Sequence, residues 1–460
     1  MKSNQEYISA NEDKFLDELF ELLRIPSIST DSTKKEDIHK AADFLVRQLE
    51  NLELTTVKKF ETPGNPIVYG EHCPHDDRPT VLIYGHYDVQ PSDPDELWDT
   101  PAFEPTIKDG LIYARGASDD KGQSFTHLKA VESYVKTGQE LPINVKFLLE
   151  GEEEIGSPNL VPFLEEHKDL LTCDMVLISD TAMFEEDQPS ITYGLRGLAY
   201  LEIEVVGPNR DLHSGVYGGA VENPANVLCE IIAQLKDEDG IIQIPGFYDK
   251  VKDLTEAERE AYEQLPFDVE EYKETLDIDA VHGEKGYSTL ERSSARPSLD
   301  VNGIWGGYQG EGAKTVLPSK ANAKVSMRLV PDQKPDEINK LFKEYVESLA
   351  PDTVKVTVSE HHGGHPVVID LDFYGLKAGA QAFEDVYEGE VLFSREGGSI
   401  PIVADFKRVL GAESILMGFG LTSNAIHSPN ENFSIKDFYR GIRTSARFME
   451  LLPEYSEKKN

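Results

Sequence analysis

Residues 12–24 place Phe15, Leu16, Leu19, Phe20, Leu22 and Leu23 at helical spacing, with Asn11 positioned as an N-cap and Pro26 just past the end. A second helical pattern follows, carried by Ile38, Ala41, Ala42, Leu45 and Leu49. Then the periodicity changes. Val81–Tyr84, Ile143–Leu149 and Met175–Ile178 are short, nearly continuous apolar runs, and a helical stretch around 121–137 lies between the first two. A strand that is apolar on both faces must be covered on both, so these runs predict an α/β sheet between helices. Sheets of this class hold ligands just beyond the strand ends, where His86, Glu153 and Asp180 stand.

Near residue 190 the pattern switches. Leu201–Val205 alternates strictly, as do parts of Ala321–Leu329, which suits a sheet with one wet face. A helix near 223–236, a polar insertion near 249–296 with the capping-box pattern Thr255-Glu-Ala-Glu258, and a helix near 335–350 complete an α+β segment. From about 370 the first pattern resumes: a helix at 371–385, the strand Val391–Phe393, a helix over 401–410, the strand Ser414–Met417 and a last helix over 434–452. The expected organisation is an α/β domain with a mixed sheet covered by helices, in two parts (1–190 and 369–460). An α+β domain at 191–368 interrupts it.

The chain has 460 residues, 39% of them apolar, which is enough for well-buried cores in two or three domains. Its formal charge of −39 is far more than any site uses, so most of the carboxylates must be solvated surface. Such a field repels nucleic acid and anionic membranes, and neither is expected as a partner. Cys73, Cys173 and Cys229 are odd in number, widely spaced and outside any C-x-x-C pair, which suits a reducing compartment. The start leads into a charged amphipathic helix rather than an apolar signal core, and no apolar run is long enough to span a membrane. The expected location is cytoplasmic.

Chemistry concentrates at the strand ends. His86 and Asp88 follow Thr80–Tyr84, Asp119-Asp120 follow Ile112–Gly116, Glu152-Glu153-Glu154 end a third strand, and His427 lies near the C-terminus. A site for two metal ions needs nitrogen and oxygen donors, a carboxylate that can bridge, and a spare carboxylate to deprotonate a water. The segments Gly85–Gln90, Ala114–Gly122, Leu149–Ser157, Asp211–Gly219 and Arg395–Pro401 resemble, in matching order from about residue 10 to 450, the dinuclear metallopeptidases. That family includes carnosine dipeptidase, glutamate carboxypeptidase, aminoacylase and succinyl-diaminopimelate desuccinylase, and the cytosolic non-specific and carnosine dipeptidases are the branch most resembled.

That resemblance implies a ligand set. His86 and Asp180 would hold one ion, Glu154 and His427 the other, and Asp119 would bridge them, with zinc or manganese as the expected metal and cobalt also suited. Asp88 would orient the His86 imidazole, and Glu153 would be the general base. Three consecutive glutamates permit a shift by one; Gly156-Ser157 favour 153 as base and 154 as ligand, leaving Glu152 without a role. Asp120 and Lys121 are expected as an ion pair or helix start rather than catalytic groups.

The resemblance also makes the inserted domain a lid and dimerisation domain. His213 would reach the partner subunit's site and stabilise the oxyanion, while Arg328, with Thr315 and Ser399, would hold the substrate's terminal carboxylate. Hydrolysis of dipeptides or short peptides by a homodimer with shared active sites is therefore the leading expectation; amidohydrolysis of N-acyl amino acids and carboxypeptidase action share the machinery. Two other motifs carry less. His361-His-Gly-Gly-His365 is read as a polar turn at the domain junction, and Gly303–Gly312 lacks the Lys-Ser/Thr ending of a phosphate loop.

Overall fold

The computed structural model describes residues 3–398 and 400–457. It divides into two compact units, one formed by Met1–Tyr193, Ile369–Ser394 and Asp405–Asn460, the other by Gly194–Val368 and Arg395–Ala404.

The core of the first unit is a mixed sheet. Its strands run in the order Thr56–Phe60, Ile67–His72, Asn144–Glu150, Thr80–His86, Met175–Ile178, Glu413–Leu416 and Ser190–Leu195. The four from Asn144–Glu150 to Glu413–Leu416 are parallel to one another, and those outside them pair antiparallel. Asn144–Glu150 and Met175–Ile178 are buried at every residue, as strands covered on both faces must be. Consecutive residues of Thr80–His86 locate the covers. Tyr84 packs edge-on against Phe406, whereas a Cβ on Gly85 would lie 2.6 Å from Ser124 of the helix Lys121–Thr137. Adjacent strand residues point to opposite faces, so helices lie on both.

Local signals act where expected, with two exceptions. The first predicted helix is Glu12–Leu23, but Asn11 does not cap it; its side chain donates to Tyr7 O at 2.8 Å because a further helix, Asn4–Ala10, runs directly into this one. The helix Lys121–Thr137 ends at Gly138, whose φ of +69° is the left-handed conformation that closes a helix.

In the second unit, Ser298–Gly306, Lys320–Leu329, Gly197–Val206 and Lys355–Gly364 form an antiparallel sheet in that order. Gly197–Val206 alternates buried and half-buried residues along its whole length. The buried face, with Leu201, Ile203, Val325 and Met327, packs against Ile231 of Pro224–Ala233 and Phe342 of Pro335–Ser348. Each such side chain contributes about 1.5–3 kcal/mol by leaving water. The capping box at Thr255 is present, starting the helix Glu256–Gln264. The second exception is the histidine group. His361 and His362 lie not in a turn but in the exposed part of the edge strand Lys355–Gly364, against Tyr200, with His361 Nε2 3.3 Å from Glu202 Oε2. Among the described residues that group joins no metal-binding cluster.

Candidate metal centre

The parallel strands end side by side, His86 opposite Glu150 and Tyr84 opposite Ile178, so the segments that follow them share one edge of the sheet. Two groups of donor atoms form there, each within 4.8 Å: His86, Asp119 and Asp180, and Asp119, Glu154 and His427. Asp119 belongs to both. Its Oδ1 lies 3.1 Å from His86 Nε2 and its Oδ2 lies 2.8 Å from His427 Nε2. Asp180 Oδ2 is 3.9 Å from His86 Nε2, and Glu154 Oε2 is 3.3 Å from His427 Nε2.

These groups fit divalent cations. His86 Nε2 is buried yet makes no hydrogen bond of acceptable geometry, and a buried polar atom left unpaired costs about 1–3 kcal/mol. Its other nitrogen is engaged, Nδ1 lying 3.1 Å from the Asp88 carbonyl oxygen, so when the ring is neutral, as a metal ligand must be, it carries its proton there and Nε2 offers a lone pair toward the two carboxylates. A nitrogen lone pair facing carboxylate oxygens is a donor set with a cation-sized partner implied.

The electrostatics agree. Burial opposes charge on His86, but Asp119 and Asp88, with Asp180 and Glu153, hold its pKa well above the usual histidine range. Asp119 and Glu154 push His427 up to about 10. Burial alone would raise Asp119, yet the two histidines hold it well below the usual carboxylate range. Asp180 lies well above that range through burial and the Asp119 charge. Burial, with the Glu154, Asp119 and Asp88 charges overcoming His86, pushes Glu153 up to about 7.

Asp88 does more than touch His86. Its Oδ1 accepts the Glu153 N–H at 3.2 Å and its Oδ2 the Glu154 N–H at 3.1 Å, fixing the turn that carries both glutamates. The three glutamates have separate surroundings. Glu154 joins Asp119 and His427, and Gln90 holds its carboxylate through N–H (3.1 Å) and Nε2 (2.7 Å). Glu152 turns away, accepting from Asn65 N at 2.9 Å and Asn159 Nδ2 at 2.8 Å, which makes it a clamp between loops. In the sequence Gln90 is an amide two residues past an acid, which carries no distinctive signal.

Asp120 and Lys121 do not pair with each other. Asp120 Oδ2 accepts the His86 N–H at 3.2 Å, and burial pushes this acid up to about 8. Lys121 begins the helix and donates to Leu22 O and Ile25 O at 3.2 and 2.7 Å. Gly122 permits the tight approach, since a Cβ there would lie 2.0 Å from Ala117 O.

The remaining predicted residues belong to the second unit. His213 pairs with Val316, next to Thr315, whose carbonyl accepts the Ser214 N–H at 3.1 Å. Its Nδ1 accepts the Gly215 N–H at 3.0 Å, so the neutral ring of this exposed histidine carries its proton on Nε2 and offers a donor. Arg328 stands half-buried in the central strand Lys320–Leu329, opposite Leu198 and Ser298, and burial lowers its pKa. Ser399 lies outside the described residues. Two residues earlier, Gly397 must lack a side chain, because a Cβ would meet Ser293 O at 2.1 Å.

The sequence pattern of Peptidase family M20/M25/M40 matches residues 82–451. The Cys-Gly metallodipeptidase dug1 of Schizosaccharomyces pombe is 34% identical, over 98% of this chain and 98% of its own. The Beta-Ala-His dipeptidase of Homo sapiens is 31% identical, over 96% of this chain and 91% of its own. Among solved structures, the M20 family metallo-carboxypeptidase Sso-CP2 from Sulfolobus solfataricus superposes with a TM-score of 0.85 at 35% identity, covering 96% of this chain and 99% of that one.

Proposed function

Because the chain belongs to Peptidase family M20/M25/M40, we propose that it is a metal-dependent dipeptidase using two divalent ions, one held by His86, Asp119 and Asp180 and the other by Asp119, Glu154 and His427. The observation that carries this reading is Asp119, whose two oxygens face His86 and His427 separately. Zinc or manganese, and cobalt as well, suit these nitrogen and carboxylate donors. When bound, such ions supply Lewis acidity for the scissile carbonyl and acidify a water.

The chain's own groups do the rest. Glu153, a half-buried carboxylate with no place in either donor group, takes the proton from the attacking water and passes it to the leaving amine. Asp88 keeps it in place through its backbone N–H. The Nε2 proton of His213 stabilises the oxyanion of the tetrahedral intermediate. Arg328 binds both oxygens of the substrate's terminal carboxylate, aided by Thr315 and Ser399.

Dipeptides are the substrate class because relatives named as dipeptidases align over nearly the whole chain. A second reading, removal of a C-terminal residue from longer peptides, is favoured by the resemblance to Sso-CP2. A panel of dipeptides, tripeptides and N-acetyl amino acids separates the readings. Dipeptides are expected to be cleaved with the highest kcat/KM; a preference for tripeptides or N-acetyl amino acids would reassign the substrate.

The working form is a homodimer with shared sites. Support comes from apolar side chains on the second unit's surface: Ile304 and Trp305 on the edge strand Ser298–Gly306, and Val216 and Tyr217 beside His213. Such exposed side chains, two of them on a strand paired along one edge, suit a self-complementary contact. Mixing inactive His213→Ala with inactive Glu153→Gln should then restore activity, because each hybrid holds one site with both residues intact. Subunit exchange verified by mass, with no recovery, would refute sharing. The free cysteines support a cytoplasmic location, and among the described residues no helix is long and apolar enough to cross a membrane.

A further inference from the structure

The loop that delivers Asp119 is held by a residue from the far end of the chain. Gly116 N donates to Glu431 Oε2 at 3.1 Å, and Ser118 N and Asp119 N donate to Oε1 at 3.0 and 3.1 Å. Arg115 Nη1 adds a charged bond to Oε2 at 2.7 Å, and Ala114 N donates to the Glu431 carbonyl oxygen at 3.1 Å. Both Glu431 and Arg115 are buried. Arg115 is anchored in turn by Pro91 O at 3.0 Å and by the Trp98 ring beneath its guanidinium.

Glu431 stands four residues beyond His427, in a segment closed on itself by Ser428 N to Ala425 O at 3.0 Å and Asn432 N to Asn424 O at 3.0 Å. One carboxylate therefore ties the loop bearing Asp119 to the loop bearing His427. A buried ion pair is a poor device for stability alone, since apolar packing serves as well or better. What this pair achieves is orientation. Its carboxylate takes the backbone N–H of Asp119 itself, of Ser118 and of Gly116, so the peptide planes that aim the Asp119 side chain are set by Glu431.

We propose that Glu431 is the positioning residue of the metal centre: it holds Asp119 with one oxygen toward His86 and the other toward His427, and thereby decides whether two ions are held together rather than one. This rests on the reading of Asp119 as the bridging ligand.

The test uses the full chain, stripped of metal and titrated calorimetrically with Zn²⁺, as wild type and as Glu431→Gln. The glutamine keeps the shape, but its NH₂ faces N–H donors it cannot accept from. The first ion is expected to bind within a few-fold of wild type and the second about 10–100-fold more weakly, the usual penalty for losing an outer partner of a ligand. With dipeptide, kcat should fall while KM stays nearly constant. Glu431→Asp, which keeps the charge for Arg115 but draws the carboxylate back by one methylene, should weaken the second ion in the same direction, and it decides the matter if the glutamine variant does not fold. A wild type that binds fewer than two Zn²⁺ would overturn the two-ion reading itself. A wild type that binds two, with unchanged affinities in a folded variant, would overturn the role of Glu431 alone.

Discussion

Glu153→Gln is expected to retain both metal ions and lose turnover by about 10²–10⁴-fold, the usual contribution of a positioned general base. The amide has the volume of the carboxylate, and the bond that places this residue is made by its backbone N–H to Asp88, so the substitution leaves the turn in place. Glu153 is in neither donor group, so the ligands of both ions survive. What disappears is a proton acceptor. Metal content by elemental analysis and kcat on a dipeptide measure the two halves of the expectation. Full metal with near-normal kcat would assign the base elsewhere, and Glu152 is then a poor substitute, because Asn65 and Asn159 hold its carboxylate.

For Asp119→Ala both ions should go. Each group of donors loses one of its three members, and the two histidines are left facing Asp180 and Glu154 without the acid between them. The loss in affinity should exceed the about 10–100-fold typical of removing an outer hydrogen-bond partner, because a direct ligand is removed from two sites at once. Two ions per chain after dialysis would contradict the bridging assignment. Asp119→Asn sharpens the point: its single amide oxygen can serve one ion, so that variant should keep about one equivalent where the alanine variant keeps neither.

Much of the fold was legible because its signals are local. The spacing of Phe15, Leu19 and Leu22 is that of one helix face, and the short apolar run Met175–Ile178, too short for a helix of ordinary length, reads as a covered strand. The failures are non-local. Asn11 looks like a cap in isolation, yet the helix before it supplies a carbonyl that claims its side chain. The five clustered residues His361–His365 read as a turn, and the strand they partly join is defined by pairing with Gly197–Val206, far away in the chain.

By itself the sequence determined the order of the acids and histidines and the station of His86, Glu153 and Asp180 at or just past the ends of buried strands, because those depend on short-range periodicity, while the resemblance implied which of them would hold metal. Only the tertiary structure decided which acids face which histidine, which of Glu152, Glu153 and Glu154 points where, and that Gln90 bonds the Glu154 carboxylate and Glu431 the backbone of Asp119. The reason is distance along the chain: Glu152 is distinguished by Asn65, Glu154 by Gln90 and His427, and Asp119 by Glu431. Hydrogen bonds between residues so far apart leave no mark in local spacing, and they exist only once the sheet has set its strands side by side.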